Sequence, residues 1–238
     1  MLFLAVFCGF LAENFREHQV EHQREKQYMI TMLEDLKADI PLLDSTIKDW
    51  EIVNNSIDSV AKAISFPLNS IDFPKIYRHL NAALNYWSFR YNDRTITQLK
   101  NSGGFRLIRN KAVANKIIAY DQFSNDALPN IAQQHNQFFL NTIALRSKVF
   151  SEGTISEIFN LYRNVPAPSS LDPWIDSLMK KNMVPLQPEN QLILLFEFKN
   201  SLTAQKRDYE SNMVWGYTHA RRKIMELIKL IEEEYHLE

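Results

Sequence analysis

Residues able to do chemistry occur in three places. His18-Gln19-Val20-Glu21-His22 has the H-x-x-E-H spacing with which a helix offers two imidazoles and a carboxylate to zinc. Glu17-His18-Gln19 recurs four residues on as Glu21-His22-Gln23, so like residues stack along one side of a helix. A third ligand is hard to supply, because no glutamate occurs between Glu51 and Glu152. A solvated polar collar is the better reading, and no metal is expected. Glu233-x-x-His236 is half of the carboxylate–histidine pattern of di-iron bundles, and it lacks a second copy on another helix. G-x-S-x-G, P-loop, dinucleotide and C-x-x-C motifs are all absent. The expectation is therefore no catalytic residue, no cofactor and no enzymatic activity.

The third place is basic. Ser102-Gly103-Gly104 precedes Arg106 and Arg109, with Arg90 and Arg94 upstream. Backbone N–H groups at the glycines and guanidinium forks beside them are the parts of an anion site. Its ligand would be a lipid head group, a polyanion or a phosphorylated compound. The same glycines also suit a helix–turn–helix connection that needs positive φ. From Lys75 to Lys116 nine basic residues face Asp93 alone, while the first helix carries Glu34, Asp35, Asp39, Asp44, Asp49, Glu51 and Asp58. These two segments are expected to lie side by side and neutralise each other, with the anion site as the functional alternative. His135 reads as a satisfied core histidine; Trp50, Trp87 and Trp215 read as packing anchors.

The elements that must position these groups are helical. Five glycines and nine prolines in 238 residues, without alternating strand patterns, point to an all-α chain. A formal net charge of −1 gives no reason to expect a nucleic-acid partner. Apolar residues at 29, 33, 36, 40, 43, 47, 50, 53, 57, 60 and 64 step by threes and fours, the seam of a long packed helix. Pro41 should kink or locally break it, and Phe66-Pro67 should end it. Asp72-Phe73-Pro74 opens a second helix running to about Asn85, and a short helix over Arg94–Asn101 stops at the glycines. A long helix from about Asn110 repeats the seam through position 149, with Pro129 bending it and Gly153 ending it. Thr154 and Glu157 form a capping box for a short helix. Residues 165–188 read as a proline-rich loop pinned by Trp174, Ile175, Leu178 and Met179. The last helix, Glu189–Tyr235, carries the seam at 192, 195, 202, 209, 213, 217, 220, 224, 227 and 231. The expected architecture is an elongated helical bundle of three long helices plus short ones.

Residues 1–12 are apolar and uncharged, with Leu2, Phe3, Leu4, Val6, Phe7, Phe10 and Leu11 as candidate membrane residues and Cys8 among them. As a helix this tip spans about 17 Å, against roughly 30 Å of hydrocarbon. A cleaved signal peptide fits poorly, since no basic residue precedes the apolar run. The preferred expectation is a membrane-anchor helix over 1–14, incomplete at its start, and a helical body over 15–238. A buried core helix end is the alternative, because Phe3, Phe7 and Phe10 share a face.

Phe3–Asn14, the Arg16/Glu17/His18 run and Leu99–Lys111 resemble a family of membrane-anchored proteins of unknown function from Bacteroidetes. The resemblance covers roughly the first half of the chain. It implies a single-pass inner-membrane protein with a cytoplasmic amino end and a periplasmic body, and it implies no activity. The resulting expectation is a membrane-anchored scaffold or accessory subunit, acting as a homo-oligomer or within a membrane protein complex. Self-association is suggested by the polar 13–27 section, which projects beyond any obvious partner in the same chain. The alternative is a periplasmic sensor for a small anion.

Overall fold

The structure is a computed structural model and describes residues 2–64, 70–85, 88–164, 177 and 190–237. The expected proline-rich loop and its anchors, and also Trp87, lie outside the described residues apart from Ser177.

The described residues are all-α. Helix α1 runs from Leu2 to Ala63. It is followed by α2 (Phe73–Ala83), α3 (Arg94–Asn101), a 3-10 turn (Gly104–Leu107) and α4 (Lys111–Gln122). A π turn at Phe123–Ala127 joins α4 to α5 (Leu128–Val149), and α6 spans Glu152–Asn164. Then α7 (Asn190–Asp208) passes through a second π turn, Tyr209–Met213, into α8 (Val214–Tyr235).

Local chemistry explains most boundaries. The Asp72 carboxylate accepts the Lys75 N–H at 2.9 Å and caps α2, whose second residue is proline. Asn110 caps α4 by accepting from the Ala112 and Val113 N–H groups. Three expectations are corrected: a local break at Pro41, Gly153 as the end of the preceding helix, and Thr154 as the cap of α6. Pro41 lies inside α1 and does not break it. Pro129 follows a π turn that contains Asn125, the residue whose carbonyl a proline ring at 129 would strike in a regular helix. Helix α5 ends at Val149, and Gly153 falls in the first turn of α6. The cap of α6 is Ser151, whose hydroxyl oxygen accepts the Thr154 N–H, so Thr154 is one turn too late to serve.

The chain forms two compact units: Met1–Asp44, Phe89–Pro129 and Tyr217–Glu238 make the first, and Ser45–Ser88 with Asn130–Gly216 the second. In the first unit the seam of α1 buries Met29, Leu33, Leu36 and Leu43, and α8 buries Ile224, Leu227 and Ile231. Three carboxylates of α1, on Glu25, Asp35 and Asp39, are buried too. Each accepts a backbone N–H from a segment far along the chain: Arg109 for Glu25, Thr95 for Asp35 and Asn92 for Asp39. A buried carboxylate is tolerated only with such partners.

In the second unit Trp50 is fully buried, stacked on Tyr209 at 4.7 Å between ring centroids and edge-on to His135 at 4.9 Å. His135 is the core histidine expected, fully buried with Nδ1 2.8 Å from the Asp208 carboxylate. Trp215 corrects the reading of it as a packing anchor, since it is 55% exposed. Burial pushes the His135 imidazole below its usual range, against the pull of Asp208. The unfolded chain then takes up the proton first. Stability at this site is complete above the ordinary histidine pKa of 6.5 and is lost as pH falls below it. The unfolding midpoint should therefore drop between about pH 8 and about pH 5.5, and part of that slope should be missing in His135→Gln.

Candidate functional site

The first unit contains a groove of about 410 Å³ between α1 and the turn that follows α3. Helix α1 contributes Glu21, Arg24, Gln27, Tyr28 and Thr31; Gln98, Ser102, Gly104, Arg106 and Leu107 form the opposite wall. The α1 residues step by three and four around one face, so a single helix presents them all to the groove.

The turn has a specific geometry. Gly103 has φ +66°, the left-handed conformation glycine adopts without strain. Gly104 follows, in a 3-10 turn against Tyr28. A β-carbon on Gly104 would lie 2.9 Å from a Leu99 methyl, 3.1 Å from the Ser102 hydroxyl and 3.2 Å from the Tyr28 ring. Gly104→Ala should therefore destabilise the protein by about 1–3 kcal/mol through overpacking. Gly103→Ala has open space and bears only the left-handed strain of about 1–2 kcal/mol. Thermal melts of both variants, read beside the binding assays below, check this.

Hydrogen bonding fixes the donors. The Ser102 hydroxyl donates to the Gln98 carbonyl at 2.8 Å, and its single proton is thereby spent. The Tyr28 hydroxyl, 3.1 Å away, is then the donor to Ser102. Both residues line the groove, and with their protons committed their oxygens are left as acceptors. The Ser102 and Gly103 N–H groups are likewise engaged, on the carbonyls of Gln98 and Lys100. Those two backbone donors are therefore not available to an anion.

The structure divides the arginines that the sequence groups together. Arg94 lies 3.1 Å from Glu34 and 2.8 Å from Asp35. Arg109 gives its N–H to Glu25 at 2.7 Å and its guanidinium to the His18 carbonyl at 3.3 Å. Lys100 is 2.6 Å from Asp121. Arg94 and Arg109 thus pair with carboxylates of the first helix, whereas Lys100 and Lys116 pair with Asp121 and Glu226 elsewhere, so the expected mutual neutralisation holds only in part. Arg90 is exposed and is not part of the groove wall. Arg106, Ser102 and Gly104 do line the groove, and Arg24 joins them from α1. Arg24 was hidden in the sequence inside the polar collar, although Glu21, Arg24, Tyr28 and Thr31 carry the three–four spacing of a helix face.

A second, smaller cavity of about 250 Å³ is lined by His22, Glu25, Lys26, Arg109, Glu234, Tyr235 and His236. Glu25 accepts the Tyr235 hydroxyl at 2.7 Å. Burial and this carboxylate push the Tyr235 phenol up, so it remains a donor. These contacts also correct the picture of residues 13–27 as a free projection, because from His18 onward the section is engaged by Arg109 and Tyr235. His18 and His22 face Glu21 and Glu25 one turn on, and among the described residues no cluster of three metal-ligating side chains forms.

No protein-family model, curated protein or solved structure matches this chain.

Proposed function

We propose that the protein is a helical scaffold or accessory subunit held at a membrane by residues 1–14, with residues 15–238 as its body. The observation that carries this is the exposure of the apolar tip. Phe3, Val6, Phe7, Phe10, Leu11 and Phe15 stand on the helical start of α1 and are all exposed, Phe3 at 82%. The tip is thus not the end of a core helix, and apolar patches of this kind mark protein or membrane contacts. Among the described residues no helix is long and apolar enough to cross a membrane. A tip of about 17 Å reaches through about half of a 30 Å hydrocarbon layer, the depth of one leaflet.

The resemblance to membrane-anchored Bacteroidetes proteins supports the same reading and adds a single-pass inner-membrane protein with a periplasmic body. The partner is a second copy of the chain or another subunit of a membrane complex. Flotation of the full chain with lipid vesicles tests the anchor, and it should be lost when Phe7 and Phe10 are changed to Asp. In mild detergent the protein mass of the particle, with the detergent subtracted, should be a multiple of the 27.9 kDa of one chain. A monomer that ignores vesicles would remove the proposal.

A further inference from the structure

We infer that the groove between α1 and the 102–107 turn binds a phosphate ester that also carries hydroxyl groups, with Arg24 and Arg106 as the two anion-binding forks. This goes beyond the membrane scaffold reading, and only the choice between a soluble and a lipid source rests on that reading.

Charge matching comes first. Arg94, Arg109 and Arg221 each lie beside a carboxylate of the same unit. Arg24 and Arg106 are both exposed on the groove, and neither has an ion-pair partner among the described residues. Two arginines lining one cavity can provide bidentate donors for phosphate oxygens. A volume of about 410 Å³ is in the range of sites for small organic ligands and leaves room beyond the phosphate.

The remaining polar groups define what fills that room. Ser102 and Tyr28 have committed their protons within the protein, so they offer lone pairs to a ligand. Glu21, on the same wall, is a carboxylate whose His18 neighbour is 3.9 Å away. A bare dianion would be repelled by Glu21 and would leave these acceptors idle. Ligand hydroxyls would satisfy all three, while the Tyr28 ring and Leu107 supply apolar wall. A phosphorylated sugar or polyol has this chemistry, and so has the head group of phosphatidylglycerol. With residues 1–14 in a membrane, the ten residues from Asn14 to Arg24 place Arg24 about 15 Å further along α1. The polar layer of a leaflet is only about 5–8 Å deep. That distance favours the soluble ligand.

The test uses the full chain, with glucose 6-phosphate and inorganic phosphate as soluble probes, by calorimetry. Phosphatidylcholine vesicles with and without phosphatidylglycerol are the lipid probe. Glucose 6-phosphate should saturate one site and bind more tightly than inorganic phosphate. Arg24→Gln and Arg106→Gln should each weaken it roughly ten- to hundredfold, the range for one lost charge-assisted contact. Both side chains are exposed, so thermal melts should be unchanged. Glu21→Gln should narrow the preference for the sugar phosphate over phosphate alone. Phosphatidylglycerol-dependent vesicle binding lost in the two arginine variants, without soluble binding, assigns the same site to the lipid source. Absence of saturable binding to either source, or binding indifferent to both arginines, overturns the inference.

Discussion

Trp50→Ala should lower the stability of the second unit by about 3–5 kcal/mol, the range for removing a buried aromatic side chain. Trp50 has no exposed surface, and its ring is stacked on Tyr209 at an interplanar angle of 20° and meets His135 at 88°. Such pairs add about 0.5–1.5 kcal/mol beyond area burial, so the upper half of the range is expected. The loss propagates through specific neighbours. His135 is held to Asp208, and Asp208 also accepts from Asn212 at 2.7 Å, inside the π turn that carries Tyr209. Removing the indole therefore loosens a histidine, a carboxylate and a π turn together. Trp50→Phe should recover much of the loss, because a phenyl ring still stacks on Tyr209. Urea unfolding by circular dichroism, with tyrosine exposure as a second probe, separates these outcomes. A loss below about 1 kcal/mol for the alanine variant would mean that this cluster does not organise the unit.

How far the fold could be read in the residues follows from which interactions are local. The seam of α1 was legible because three–four spacing is a property of neighbouring residues. Positions 29, 33, 36, 43, 50, 53, 57, 60 and 64 are all buried. The seam of the last helix was legible on the same grounds, although Phe198 and Gln205, both fully buried, escaped it. Side-chain type without register misled at Trp215, which falls between the buried Met213 and Tyr217 and faces outward. The cap of α6 was misplaced because Ser151 and Thr154 are equally good caps in sequence, and only the chain path past Phe150 selects the first.

The buried carboxylates were the largest omission. Asp35 and Asp39 look like ordinary members of an acidic helix face, and their partners Thr95 and Asn92 lie more than fifty residues away. A count of charges predicts that acidic and basic segments meet. It does not show that backbone N–H groups, more than cations, receive the carboxylates. The candidate groove was half legible for the same reason: Ser102, Gly104 and Arg106 are contiguous and were found, whereas Arg24 joins them only through the packing of α3 on α1.

Asp35→Ala should cost about 2–4 kcal/mol, mostly through the start of α3. The residue in the N-cap position of that helix, Asp93, makes no side-chain cap hydrogen bond. Asp35 serves instead from α1. Its Oδ2 accepts the Thr95 N–H at 3.0 Å and the Thr95 hydroxyl at 2.5 Å, and its Oδ1 lies 2.8 Å from Arg94. Alanine would leave two buried donors of Thr95 without an acceptor, at about 1–3 kcal/mol each. The two losses overlap, since α3 can shift to let water in. The Arg94 side chain is 60% exposed and remains solvated when its partner is removed, so the larger penalty of an isolated buried charge does not arise. One effect runs the other way. Burial pushes the Asp39 carboxyl up and the Asp35 charge adds to it, so Asp35→Ala relieves part of the strain on Asp39. Asp35→Asn keeps one acceptor and should lose less. Asp93→Ala, at the position where sequence alone would place the cap, should change stability by less than about 0.5 kcal/mol. Denaturant unfolding of the three variants, with hydrogen exchange at Thr95, Ile96 and Leu99, decides the matter. Equal losses for Asp93→Ala and Asp35→Ala would show that α3 is capped from its own segment, and that α1 only packs beside it.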